Sequence, residues 1–275
     1  MEDMKVRTQT PFPLQQPHIE IAPTNTSPFE VDFKEMHWWF AIPEVGDHVL
    51  WAQYEPDLRM HDYTEMKALR PAKVHGIDCV EVAAMVYDYG EDPVRVFPWM
   101  FFARLTEDRV QYLATLSLFR KDIRELRTML DEGFDKDWGD GPRQIRQTGR
   151  LTQQQDRSYT LSAEADAGEI IEPAGIFQVM IGERSFDCLR VIGITIPLSE
   201  DNTLVEAYLN REGRTILFRR YNGIRWNLGY NTGHPKEMTW DQRFPDHMRI
   251  VINGVTFVHW YDCLSNLACG IDVVM

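Results

Sequence analysis

The sequence predicts an antiparallel, β-rich α+β fold made of two related, curved β-meanders with one amphipathic helix packed on the sheet. Three observations support this prediction. Short runs of strand-forming residues alternate with turn signals along most of the chain. One stretch has the 3.6-residue period of a helix. Finally, Asn253-Gly254 separates two β-type runs, and this dipeptide favours a type I′ hairpin turn because both of its residues accept positive φ.

The first thirty residues predict an extended, proline-rich arm. Proline lacks a backbone N–H donor and is excluded from helix interiors and central strands. We therefore expect residues 1–30 to be ordered only where they lie on the main body, and removal of residues 1–28 to leave that body folded. The prolines of the arm are Pro11, Pro13, Pro17, Pro23 and Pro28.

The rest of the chain is interpreted as an internal repeat, with a first β-meander plus helix at 31–145 and a second β-meander with a C-terminal hairpin at 146–275. Each copy has a strand, a glycine turn, a strand containing a cysteine (Cys79 or Cys188), a loop, a strand with Ala-x-Leu, a turn and a further strand. The spacing between these features differs between the copies, so the repeat is one of strand pattern and not of strict period. We expect the two meanders to form one continuous body.

One amphipathic helix is predicted between the two meanders, from Phe119 to Leu130. Its apolar residues recur at spacings of four, three and four, charged residues occupy the other face, and Gly133 follows as a stop signal. The apolar positions are Phe119, Ile123, Leu126 and Leu130.

Charge and composition exclude several classes of partner. The 275 residues include 29 Lys plus Arg against 42 Asp plus Glu, a formal net charge of −13, which repels nucleic-acid phosphates and anionic bilayers. No apolar run approaches the length of a membrane span, and the first residues lack the layout of a secretory signal. We therefore predict a cytoplasmic protein with no nucleic-acid and no membrane partner. Its cysteines should be reduced, and Cys79 and Cys188 should be equivalent buried thiols.

Potential metal ligands are densest near the C-terminus, but they predict no metal site. Neither Cys-x-x-Cys nor His-Glu-x-x-His occurs there, so structural roles are favoured and no cofactor is predicted. His259 and Asp262 could form a catalytic dyad, yet side chains three apart on a regular strand point to opposite faces, which weakens that pairing. The potential ligands are His234, His247, His259, Asp262, Cys263 and Cys269.

A group of arginines and aromatic residues predicts a ligand-binding surface. Guanidinium groups supply forked donors and aromatic rings supply stacking faces, a combination that suits an anionic or planar molecule. We therefore expect a non-catalytic cytosolic module that binds a small anionic or planar ligand, or a partner protein, on an aromatic and arginine-lined sheet. The alternative is a hydrolase or isomerase that uses His259 with Arg and Asp partners from other strands. The predicted ligand-binding residues are Arg219, Arg220, Tyr221, Arg225 and Trp226.

Overall fold

The computed structural model describes residues 10–24, 26, 29, 31, 35, 41–89, 94–107, 109–117, 125–128, 139–142, 149–155, 158–163, 168–223 and 249–273. These residues form a β-rich sheet in which all strand pairs except β10–β15 are antiparallel, so the antiparallel β-rich class is confirmed. No helix within them is long and apolar enough to cross a membrane. The elements are β1 (Ile19–Pro23), β2 (His48–Tyr54), β3 (Met60–Val74), β4 (Ile77–Asp88), β5 (Arg95–Leu105), β6 (Arg109–Ser117), β7 (Glu125–Thr128), β8 (Gly139–Pro142), β9 (Gly149–Gln155), β10 (Ser158–Ala163), β11 (Gly168–Ile181), β12 (Arg184–Ile196), β13 (Thr203–Leu209), β14 (Thr215–Gly223), β15 (Arg249–Ile252), β16 (Val255–Ser265) and the short helix α1 (Asn266–Cys269).

Strand β16 lies between two sets of strands, β11–β14 and β2–β7. Within each set, strands that follow one another in sequence are also neighbours in the sheet. The order along the sheet is β1-β11-β12-β13-β14-β16-β2-β3-β4-β5-β6-β7. One edge of β16 pairs with β14, whereas its other edge pairs with β15 over its first half and with β2 over its last residues. The turn between β15 and β16 has φ values of 47° at Asn253 and 80° at Gly254, which confirms the predicted hairpin with two positive-φ residues.

The sheet has two apolar faces, which we name after the buried residues Trp51 and Tyr54. On the Trp51 face, one core cluster spans strands from β12 to β6 and includes Tyr261 and Cys263. The Tyr54 face carries two clusters, one with Tyr54 and Leu264 and a second further along the strands. This second cluster joins buried residues of six strands, β10 and β12 to β16, so the sheet must curl around them.

The proline-rich arm is built into this fold. Phe12 is 3% exposed and lies 5.9 Å from the ring of Tyr63, and the Tyr54 hydroxyl donates to the Pro13 carbonyl at 2.8 Å. Strand β1 then pairs with β11 as an edge strand that ends at Pro23, where a missing donor is tolerated. The arm thus covers apolar surface of the Tyr54 face, and these contacts favour a loss of stability, not an unchanged body, when residues 1–28 are removed.

The predicted helix from Phe119 to Leu130 is contradicted at Glu125–Thr128, which form strand β7 instead. This strand pairs with β6 from Ser117 to Ala114. An open strand edge supplies backbone partners to any neighbouring segment, and such tertiary pairing overrides a local helical pattern. The other residues of the predicted helix lie outside the described residues.

The predicted burial of two cysteines is confirmed. Cys79 on β4 and Cys188 on β12 are free and buried. Burial raises the pKa of the Cys188 thiol to about 12 and also raises that of Cys79, so both thiols are protonated near neutral pH.

The role of the arm is testable with two neighbouring substitutions. Phe12→Ala removes a buried ring and should lower the free energy of unfolding by about 3–5 kcal/mol. Leu14→Ala is the matched control, because Leu14 is 63% exposed and its truncation should leave stability almost unchanged. Urea titrations measure both changes, and equal stabilities for the two variants would show that the arm does not cover a core.

Candidate functional site

A β-bulge places His259 beside Asp262. Across the β14–β16 pair, Arg220 is opposite Tyr261 and Tyr221 is opposite His259, so Trp260 is an extra residue on β16. An extra residue shifts the alternation of side chains by one position. Consequently His259 and Asp262 share the Tyr54 face, with Nε2 of His259 2.9 Å from Oδ1 of Asp262. The prediction that these two side chains point to opposite faces is wrong, because it assumed a regular strand.

Asp262 is the acceptor for three side chains. Arg219 donates from Nε to Oδ1 at 2.8 Å and from Nη2 to Oδ2 at 3.2 Å, a forked pair that fixes the guanidinium plane. Gln16 of the arm donates from Nε2 to Oδ2 at 2.9 Å. With the contact from His259, both carboxylate oxygens of this buried group have partners.

Glu206 on β13 extends these contacts to a neighbouring strand. It lies opposite Arg219 in the β13–β14 pair, accepts a hydrogen bond from Arg190 of β12, and accepts another from the Tyr221 hydroxyl at 2.9 Å. Arg190, Glu206, Arg219 and Asp262 therefore form a row of alternating charge across β12, β13, β14 and β16, which we call the charge ladder.

The charge ladder keeps its carboxylates ionised. Burial alone would raise the pKa of Asp262, but Arg219 and His259 lower it by more, so its pKa lies below the ordinary value of 3.8. The pKa of Glu206 is also lowered, because Arg190 and Arg219 outweigh the effect of burial. The two negative charges of these carboxylates and the two positive charges of the guanidinium groups then balance within the ladder.

Aromatic rings lie at both ends of the charge ladder. The Arg190 guanidinium carbon lies 5.7 Å from the ring centre of Tyr159 and 5.4 Å from that of Phe177, within cation–π range. At the other end of the ladder, the Tyr221 and His259 rings are 5.5 Å apart. Tyr159, Phe177 and His259 are partly exposed, so this aromatic rim is where the ladder meets solvent.

The structure brings together part of the predicted site. Arg219 and Tyr221 lie beside the weaker candidate His259. Arg220 shares the Trp51 face with its cross-strand partner Tyr261, so it cannot contact the same ligand on the Tyr54 face. Arg225 and Trp226 lie outside the described residues, as do His234 and His247.

Sequence reasoning missed Arg190 and Glu206. Each is a single charged residue inside an apolar strand, in Leu189-Arg190-Val191 and in Val205-Glu206-Ala207. Charges at such positions are buried only when they are paired, so the two together could have predicted an ion pair. Within the described ranges, no group of three or more His, Cys, Asp or Glu side chains is placed to hold a metal ion.

Comparisons with known proteins give two weak structural matches. No protein-family model and no curated protein matches the chain. A protein of Bacteroides fragilis NCTC 9343, provisionally described as exported and with a YmcC-like fold, is 6% identical, with 86% of this chain and 97% of that chain covered and a TM-score of 0.29. A provisionally described lipoprotein of Parabacteroides distasonis ATCC 8503 is 8% identical, with 87% and 98% covered and a TM-score of 0.26.

These descriptions require a correction. An exported protein and a lipoprotein contradict our predictions of a cytoplasmic location and of no membrane partner, and we withdraw both predictions. The same descriptions contradict the cytosolic location in the predicted function.

The charge ladder predicts a specific loss of stability in acid. Because the pKa of Asp262 in the folded protein lies below 3.8, its contribution is present above about pH 4 and is lost as the pH falls through the folded value. Asp262→Asn should cost about 3–5 kcal/mol at pH 7, since it leaves Arg219 without its forked partner, and should remove that part of the acid dependence. Denaturant titrations between pH 2 and 7 measure both effects. The exposed Asp187→Asn is the control, and an Asp262→Asn variant with the acid dependence of the control would contradict the assignment.

Proposed function

We propose that this chain is a non-catalytic module that binds a small planar ligand at the aromatic rim of the charge ladder. The observation that carries the proposal is the arrangement of three partly exposed rings, Tyr159, Phe177 and His259, around the guanidinium groups of Arg190 and Arg219. Rings and guanidinium planes offer stacking surfaces for a flat molecule.

Charge balance favours a planar ligand over a strongly anionic one. Arg219 is bound in a forked pair by Asp262, and Arg190 is bound by Glu206. A polyanion would have to compete with two buried carboxylates for these cations, and separating a buried ion pair costs several kcal/mol. A flat, uncharged molecule that stacks on the rings leaves both pairs intact.

The proposal is tested with a panel of planar heterocycles, small carboxylates and phosphates, screened by ligand-observed NMR. We expect the hits to be planar and uncharged, and both Phe177→Ala and Tyr159→Ala to weaken them about tenfold, which corresponds to the loss of one stacking contact. Arg220→Ala is the matched control on the opposite face and should leave affinity unchanged.

Two outcomes would contradict this proposal. One is a set of hits that neither ring substitution weakens. The other is binding by anions alone, with an affinity that falls steeply with salt and is reduced in Arg220→Ala.

A second candidate function is a hydrolase or isomerase, and the short contact between His259 and Asp262 favours it. A carboxylate bound to one imidazole nitrogen orients the ring, as a general base requires. The contact uses Nε2, which leaves Nδ1 for proton transfer. No described residue hydrogen-bonds to that second nitrogen.

Turnover distinguishes the two functions. As a binding module, the protein should release every ligand of the panel chemically unchanged, which mass spectrometry of the recovered ligand measures. The enzyme is favoured over the binding module if the wild-type protein converts a ligand and His259→Asn still binds that ligand but no longer converts it.

We also propose that the two meanders are related by an internal repeat, as their strand pattern indicates. The segments β3–β6 and β11–β14 each run as consecutive antiparallel neighbours, and the second strand of each contains a buried cysteine. The boundaries at residues 30 and 145 remain part of this proposal.

A further inference from the structure

A second buried cluster lies away from the charge ladder, at the start of β14. The side chain of Glu35 is 1% exposed, and its partner Thr215 is fully buried. The Thr215 N–H donates to Oε1 of Glu35 at 3.2 Å, and the Thr215 hydroxyl lies 2.7 Å from Oε2. These contacts join residue 35 to the first residue of β14.

The cluster contains two carboxyl groups and one cation. Nε of Arg214 lies 2.9 Å from Oε1 of Glu35, and Nη1 of the same guanidinium donates to Oδ1 of Asp47 at 2.7 Å. Asp47 also accepts the Ile42 N–H at 2.7 Å. With both carboxyls ionised, the cluster would have a net charge of −1 in a buried position, which is unfavourable.

We propose that Glu35 is a proton-binding group that makes the junction between residue 35 and the start of β14 sensitive to pH. Of the two carboxyl groups, Glu35 is the one without access to solvent, whereas the Asp47 side chain is 18% exposed and accepts two hydrogen bonds. A proton on Glu35 leaves Asp47 and Arg214 as a neutral pair. When the pH rises, that proton passes to solvent and the buried negative charge appears.

The geometry accommodates either protonation state. The Thr215 N–H can donate to the carbonyl oxygen of a protonated carboxyl as well as to a carboxylate. A threonine hydroxyl can donate or accept, so the 2.7 Å contact with Oε2 persists when Oε2 bears the proton. The charged groups that act on Glu35 are Arg214, which favours ionisation, and Asp47, which opposes it.

The pKa of Glu35 is raised from its ordinary value of 4.5 to about 8. The increase caused by burial exceeds the decrease caused by Arg214 and by the Thr215 hydrogen bonds. A group whose pKa is higher in the folded than in the unfolded protein stabilises the fold at low pH. That contribution decreases as the pH rises from the ordinary value of 4.5 to about 8. This pH dependence has the opposite sign to that of Asp262, so the two groups can be measured separately.

The test compares wild type with Glu35→Gln, which keeps the shape and is neutral at every pH. In urea titrations from pH 5 to 9, the ratio of the folding equilibrium constants of wild type and Glu35→Gln should fall by about tenfold per pH unit up to pH 8 and then level off. Glu44→Gln, an exposed position in the neighbouring turn, is the matched control and should give a constant ratio. A constant or rising ratio for Glu35→Gln would overturn the proposal.

A measurement on the wild-type protein covers the case in which Glu35→Gln does not fold. Infrared difference spectra of the folded protein between pH 7 and 9 should show a protonated carboxyl band that disappears as a carboxylate band grows. The absence of any such band at pH 7 would overturn the proposal. This inference is independent of the proposed ligand, because neither measurement uses one.

Discussion

The charge ladder is the constraint on which the rest of the structure depends, because it fixes how four strands lie side by side. On the Tyr54 face, Glu206, Arg219 and Asp262 lie directly opposite one another on β13, β14 and β16. Arg190 of β12 lies opposite Tyr208 and reaches Glu206 diagonally. A register slip of one residue on any of these strands would turn a charge away from its partner and bury it alone, which costs several kcal/mol. Buried apolar and aromatic residues lie on both sides of the ladder on this face, with Cys188, Tyr208, Leu217 and Leu264 on one side, and Ile192, Leu204, Tyr221 and Phe257 on the other.

The same constraint connects the fold to the candidate site. Strand β16 pairs with β14, β15 and β2, and its bulge at Trp260 turns His259 toward the ladder. Gln16 brings the N-terminal arm to the same carboxylate. The partly exposed rings therefore rest on groups that are already paired, an arrangement that would lower the entropic cost of binding the proposed flat ligand.

The sequence predicts local features well and features that depend on distant strands poorly. The hairpin at Asn253-Gly254 and the buried cysteines follow from neighbouring residues, and both are confirmed. The bulge at Trp260 is defined only by the register with β14, so the pairing of His259 with Asp262 could not be derived from their spacing. Likewise Glu125–Thr128 have a helical pattern, but the edge of β6 decides their conformation.

The most direct test of this account is a double-mutant cycle on Arg219 and Asp262. Arg219→Met, Asp262→Asn and the double variant are compared with wild type by urea unfolding at pH 7. If the ladder holds β14 and β16 in register, each single substitution leaves the other charged group buried without its ion-pair partner. The loss of unfolding free energy in the double variant should then be smaller, by about 2 kcal/mol, than the sum of the losses in the two single variants. Additive costs would show that the two groups do not stabilise the fold together and would contradict the account.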